Sequence, residues 1–155
     1  MSYCKKCQSH DINILTSKET VKYKGQDIPF NIEYSVCNNC NHEFVSKQQI
    51  QRGDDYLRDA KKVIDGLLTS SEIKQAREEL GLTQAQASQV FGGGANAFSK
   101  YERNEVTQSK AMDKLIRVCL DYPVVFNDLK AQEGLSDVVV ADRTYENNVM
   151  ERNLK

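Results

Sequence analysis

Four of the five cysteines in this 155-residue chain stand in two pairs, Cys4-x2-Cys7 and Cys37-x2-Cys40, with 29 residues between them. Two residues between cysteines let one tight turn aim two sulfurs at a single point. Zinc takes four thiolates in a tetrahedron at ~2.3 Å, so two such turns must meet. Cys119 is left over, which is the arithmetic of a metal site plus a spare thiol. The expected cofactor is one structural Zn2+ per chain, held by Cys4, Cys7, Cys37 and Cys40. A catalytic zinc needs an open position, and four cysteines leave none. A thioredoxin-like redox pair would need a different strand-helix setting. His10 and His42 lie close to the pairs, so a Cys3His variant is conceivable but unneeded, and both read as surface residues. Cys119 falls on an apolar helical face and reads as a core thiol.

A second group of residues surrounds a glycine triplet. Leu82 to Phe91, then Gly92-Gly93-Gly94, then Ala95 to Arg103 has the shape of a helix-turn-helix. In that motif the first helix crosses the DNA backbone and the second enters the major groove N-terminus first. Thr83 caps the first helix, with Gln86 three residues on. Thr83 and Gln84 would meet a phosphate at that helix N-terminus. On the second helix, Phe98 and Tyr101 should face the core, while Asn96, Lys100 and Arg103 at i, i+4 and i+7 share an outer face. Asparagine pairs bidentately with adenine, and lysine reaches guanine O6 and N7. Ser99 is a helper candidate, and Lys110 a phosphate contact. Glu102 suits helix packing better than DNA, which would repel it. A polar helix face can equally be only a solvated one.

Bulk composition sets limits. Net charge is −1, and residues 71–130 hold eight Lys/Arg against eight Asp/Glu. DNA affinity must therefore come from a local patch, since a nucleic-acid binder is usually basic overall. No apolar run approaches the ~20 residues of a membrane span. The start MSYCKKC has no apolar stretch behind its charges, so it does not read as a secretory signal. The expected location is the cytoplasm, where thiols stay reduced. No nucleophile, base and orienting group share a motif, and the glycine triplet lacks the Lys-Ser/Thr of a phosphate loop. No catalytic residues and no enzyme activity are expected.

These residues need elements to position them. Phe30, Ile32, Tyr34 and Val36 alternate with Asn31, Glu33 and Ser35, the period of a strand with one apolar face. Val21 and Tyr23 suggest its partner, with a hairpin turn at Lys24-Gly25-Gln26-Asp27. Such a hairpin brings the second cysteine pair back to the first. Residues 46–68 read as an amphipathic helix capped by Ser46 with Gln49. Its stripe is Ile50, Leu57, Ala60, Ile64 and Leu67, with Arg52, Asp55, Arg58, Asp59 and Lys62 elsewhere. Ser71 should cap a helix ending before Gly81, and further helices should span Ala95–Arg103 and Ser109–Asp121, stopped by Pro123. A short helix at Val124–Leu129 and a strand at Val138–Val140 are expected too. The fold class is α+β. A zinc-bound β-rich domain spans 1–45, a linker helix 46–70, a five-helix λ-repressor-like helix-turn-helix domain 71–130, and a polar tail 131–155.

The string from Phe91 through Gly-Gly-Gly, Ala95, Asn96, Ala97, Phe98, Ser99, Lys100, Tyr101 and Glu102 to Arg103 resembles the recognition region of MqsA-type antitoxins. Leu82-Thr-Gln-Ala-Gln-Ala and the two C-x-x-C pairs fit as well, so the resemblance covers roughly residues 1–130. It implies that the zinc domain binds a toxin, typically an mRNA-cleaving ribonuclease. It also implies that the helical domain dimerises on a palindromic operator and represses its own operon. The family's base-reading asparagine maps onto Asn96 and its base-reading arginine onto Lys100. Lysine lacks arginine's planar fork, so operator sequence or affinity is expected to differ. The expected function is thus a sequence-specific transcriptional repressor and type II antitoxin. The alternatives are a stand-alone regulator without a toxin and a protein-interaction module whose helices only dimerise.

Overall fold

The computed structural model describes residues 3–135, which form a three-stranded antiparallel sheet followed by six helices, an α+β fold. The expected strand at Val138–Val140 lies outside the described residues. Strands β1 (Ile12–Tyr23) and β2 (Gln26–Cys37) form a long ribbon, and β3 (Glu43–Phe44) pairs with β2 at Ser35 and Val36. The hairpin closes with Tyr23 opposite Gln26, which leaves two turn residues, Lys24 (φ 48°) and Gly25 (φ 79°). Two positive φ values in a two-residue loop match the twist of the flanking strands. The register ends with Ile12 opposite Cys37, so the ribbon returns the second cysteine pair to the first.

The strand's faces differ from the expected alternation. Ser35 is buried at 2% exposure, while Ile32 is 37% exposed. The reason is α1 (Lys47–Ile64), which packs on β2 and meets polar residues there. The Gln49 amide exchanges hydrogen bonds with the Ser35 hydroxyl at 3.0 and 3.2 Å, Arg52 pairs with Glu33, and the Tyr56 hydroxyl donates to the Pro29 carbonyl. The fully buried residues of α1 are accordingly Gln49 and Lys62, not an apolar stripe; Ile50 is 53% exposed. The Ser46–Gln49 capping box is present, and α1 ends at Ile64, before Gly66 at φ 71°.

Helices α2 (Ser70–Glu79), α3 (Gln84–Phe91), α4 (Ala97–Glu102), α5 (Lys110–Asp121) and α6 (Pro123–Gln132) share one apolar core. Ile73, Ala76, Ala87, Val90, Phe91, Phe98, Tyr101, Ile116, Cys119 and Phe126 lie within it. Three boundaries differ from expectation. Thr69, not Ser71, caps α2, because only Thr69 has a glutamate three residues on to complete a capping box. Helix α4 starts at Ala97 rather than Ala95, since Gly92, Gly93 and Gly94 all hold positive φ and Ala95-Asn96 form the turn out of it. Pro123 stops α5 but also opens α6 at its first position, where its missing amide costs nothing.

Candidate metal centre and nucleic-acid interface

Two matching turns build the cysteine cluster. The Gln8 amide donates to the Cys4 carbonyl at 2.7 Å and the Asn41 amide to the Cys37 carbonyl at 2.8 Å. Gln8 (φ 61°) and Asn41 (φ 54°) both turn left-handed just past their second cysteine. Asparagine tolerates that conformation, whereas nothing about Gln8 announces it. The Sγ atoms of Cys4 and Cys40 lie 3.6 Å apart, those of Cys7 and Cys37 3.5 Å, and all four fall within 4.8 Å of one another. A tetrahedron with ~2.3 Å metal–sulfur bonds needs sulfurs ~3.8 Å apart, so the spacing fits one ion.

The electrostatics point the same way. The Ser9 backbone and the Asn39 side chain hydrogen-bond to Cys7 and lower its thiol to about 6. The His42 backbone favours the Cys40 thiolate, but burial and the bonds of Cys7, Cys4 and Cys37 outweigh it and push that thiol up to about 12. Four adjacent sulfurs cannot all ionise unaided, and a multivalent cation among them is what would permit it. The histidines stand apart from the cluster. His10 packs with Tyr3 and His42 stacks on Phe44, at 5.8 and 5.9 Å between ring centroids. Cys119 is 1% exposed in the helical core, as expected.

In the helical half, Thr83 caps α3 with its hydroxyl accepting from the Gln86 backbone amide at 3.2 Å, while the Gln86 side-chain oxygen accepts from the Thr83 backbone amide at 2.9 Å. Phe98 and Tyr101 face inward and pack edge-on, with centroids 5.7 Å apart. Their burial turns the polar side of α4 outward. Asn96 occupies the N-cap, exposed and without a capping hydrogen bond of its own. Lys100 is exposed with no ion pair among the described residues, and Ser99 is half-buried. Lys110 is exposed at the first position of α5. Two other candidates are engaged inside the molecule. Gln84 donates to Glu102 at 2.8 Å, and Arg103 donates to Glu105 and to the Ser99 hydroxyl. Gly93 lets the turn pass close to α4: a Cβ there would lie 3.1 Å from the Ala97 Cβ and 3.3 Å from the Tyr101 hydroxyl.

Behind this surface Glu102 holds three helices together. Arg77 of α2 donates to both its oxygens, at 2.5 and 3.1 Å, and also to the Leu82 carbonyl. Glu102 therefore serves packing, as expected. Lys62 and Asn104 were not singled out by sequence. A lysine at that helical position reads as solvated, yet it is buried against Asn104.

Residues 2–130 match the family described as the antitoxin component of a bacterial toxin-antitoxin system, MqsA. The chain belongs to the MqsA antitoxin family. It is also 30% identical over 95 residues to the antitoxin MqsA of Escherichia coli strain K12, covering 61% of this chain and 72% of that protein. The match takes in both cysteine pairs and all of α1 to α5, so the ligand cluster and the glycine-hinged helices fall within the MqsA frame. Among the described residues no helix is long and apolar enough to cross a membrane.

Proposed function

We propose that this MqsA-family chain is a DNA-binding repressor of its own operon and the antitoxin of a ribonuclease toxin. Asn96 and Lys100 read base edges, with Ser99 assisting and Arg103 on the same outer face. Thr83 and Gln84 meet a phosphate at the α3 N-terminus and Lys110 another, Gln84 and Arg103 exchanging their contacts with Glu102 and Glu105 for DNA. The observation that carries the reading is the exposure of Asn96, at the N-cap, and of Lys100, one turn on, along a helix whose opposite side, Phe98 and Tyr101, is sunk in the core. The α3 N-terminus, capped at Thr83, adds free amides suited to a phosphate. The metal is zinc, which would supply the charge that lets four thiolates coexist and so close the turns. Its role is structural, and the chain has no catalytic one. Residues 1–45, 46–70 and 71–130 act as toxin-binding domain, linking helix and DNA-binding domain in a cytoplasmic protein.

One recognition helix reads one half-site, and half-sites lie ~34 Å apart, so a homodimer on a palindromic operator completes the reading. Val118, Tyr122 and Val124, at the end of α5 and the start of α6, are each exposed and are available apolar surface for it. The test is titration of the chain with duplex from its own promoter and with scrambled duplex at several salt concentrations. Promoter affinity should fall steeply as salt rises, because phosphate contacts release counterions, and should exceed scrambled affinity throughout. Equal weak binding to both duplexes would overturn the proposal in favour of a pure interaction module.

A further inference from the structure

Lys62 is a full-length cation at 1% exposure in the last turn of α1, a position that costs stability unless the charge is satisfied. Its ammonium donates to the Asn104 side-chain oxygen at 2.9 Å and lies 3.5 Å from an Asp59 oxygen. Asn104 is itself 3% exposed and follows directly on α4 and its C-cap, Arg103. Its φ of 58° is one that glycine would adopt more easily. Asparagine offers what glycine lacks, a side-chain amide: its oxygen accepts the Lys62 hydrogen bond and its nitrogen donates to the Asp55 carbonyl at 2.8 Å. One side chain at the end of α4 thus grips α1 at two points about two turns apart.

Further polar bonds extend the grip. The Asp59 carboxylate accepts from the Ser70 amide and hydroxyl at 2.9 and 2.7 Å, which ties α1 to the start of α2. At the other side, Tyr23 and Lys24 of the ribbon tip bind Asp65 at the end of α1. Apolar packing contributes little to this junction. The helical core begins at Leu68 and contains no side chain of α1. Open clefts of about 430 and 530 Å3 flank the contact, one lined by Asp55, Ser70 and Asn104, the other by Tyr23, Lys62 and Asp65. Where apolar packing is absent, directional hydrogen bonds decide the geometry.

We propose that Lys62 is a positioning residue for DNA reading: through Asn104 its ammonium fixes the seat of α4 relative to α1 and the ribbon, so the two halves present themselves to DNA as one body. The role rests on the reading of α4 as the helix that enters the groove. Lys62 itself touches no base.

The test uses the full-length, metal-loaded chain as wild type, Lys62→Met, Asn104→Gly and the double variant. Methionine keeps most of the length without the charge, and glycine keeps the backbone turn without the amide. The double variant leaves no orphaned buried partner, so it covers the case in which a single variant loosens the fold. Two quantities are read: the ratio of promoter to scrambled-duplex affinity, and the residual dipolar couplings of residues 12–64 and 70–132. In the wild type both segments should fit one alignment tensor. Each single variant should lower the affinity ratio about tenfold and split the tensor, and the double should be no worse than the worse single, since one contact is lost in all three. A wild-type ratio with a single tensor in every variant, even at lower melting temperature, overturns the positioning role and leaves DNA reading standing. A wild type that does not prefer its promoter overturns the DNA-reading proposal and this role with it.

Discussion

The Glu102 side chain is 5% exposed, carries a two-pronged contact from Arg77, and accepts from Gln84. Burial alone would raise its carboxyl, but the Arg77 and Gln84 bonds outweigh burial and hold it below the usual range near 4.5. Asp113 follows the same pattern: burial is outweighed by Arg117, the Leu68 amide and Gln108. A carboxyl depressed in the folded state contributes stability above its unfolded value and loses it as pH falls through the lower folded value. Stability from Glu102 is thus fully present at pH 7 and declines below about pH 4.5. Glu102→Gln should cost roughly 1–3 kcal/mol in urea unfolding at pH 7, because Arg77 loses a buried charge partner. It should also make the loss between pH 4.5 and 3 shallower than in the wild type. An unchanged midpoint and acid limb would contradict this role. Glu102 was legible because a negative charge on a helix expected to face DNA needs an internal partner. Lys62 was not, because periodicity assigns an i+3 lysine to solvent and says nothing about a partner 42 residues away.

At the scale of elements, the ribbon has length but scarcely a core. Among described residues before Leu68, the buried apolar ones are Cys4, Ile28 and Cys37, and two of those three are candidate metal ligands. Structural metal sites contribute folding free energy outright in such small units. Metal analysis should therefore give about one zinc per chain. Chelation should melt the ribbon and α1 first, with loss of β signal, while α2 to α6 keep their helical signal because their core is separate. No metal, an iron cluster, or simultaneous melting of both halves would contradict it. The sequence declared its capping boxes, its hairpin turn and its cysteine turns well, since each depends on neighbours a few residues apart. The Thr69-Ser-Ser-Glu72 box was equally readable and marks the true start of α2. Strand parity was less readable: the alternation of β2 assumes an apolar covering, and the helix that covers it brings Gln49, Arg52 and Tyr56 instead.

At the scale of the whole molecule, a net charge of −1 forces any DNA affinity onto a local surface. The proposed surface is drawn from α3, α4 and the start of α5, with its exposed members between residues 83 and 110. Arg103 is paired locally with Glu105, so the proposal assigns base reading mainly to Asn96 and Lys100. The decisive measurement is the affinity of wild type, Asn96→Ala and Lys100→Ala for promoter duplexes in which each base pair of the site is changed in turn, at one salt concentration. Asn96→Ala is expected to erase discrimination at one position, and Lys100→Ala at another, each by roughly 1–3 kcal/mol, with the remaining positions unaltered. Weakening spread evenly over every duplex, or no change at all, would contradict base reading by these two side chains.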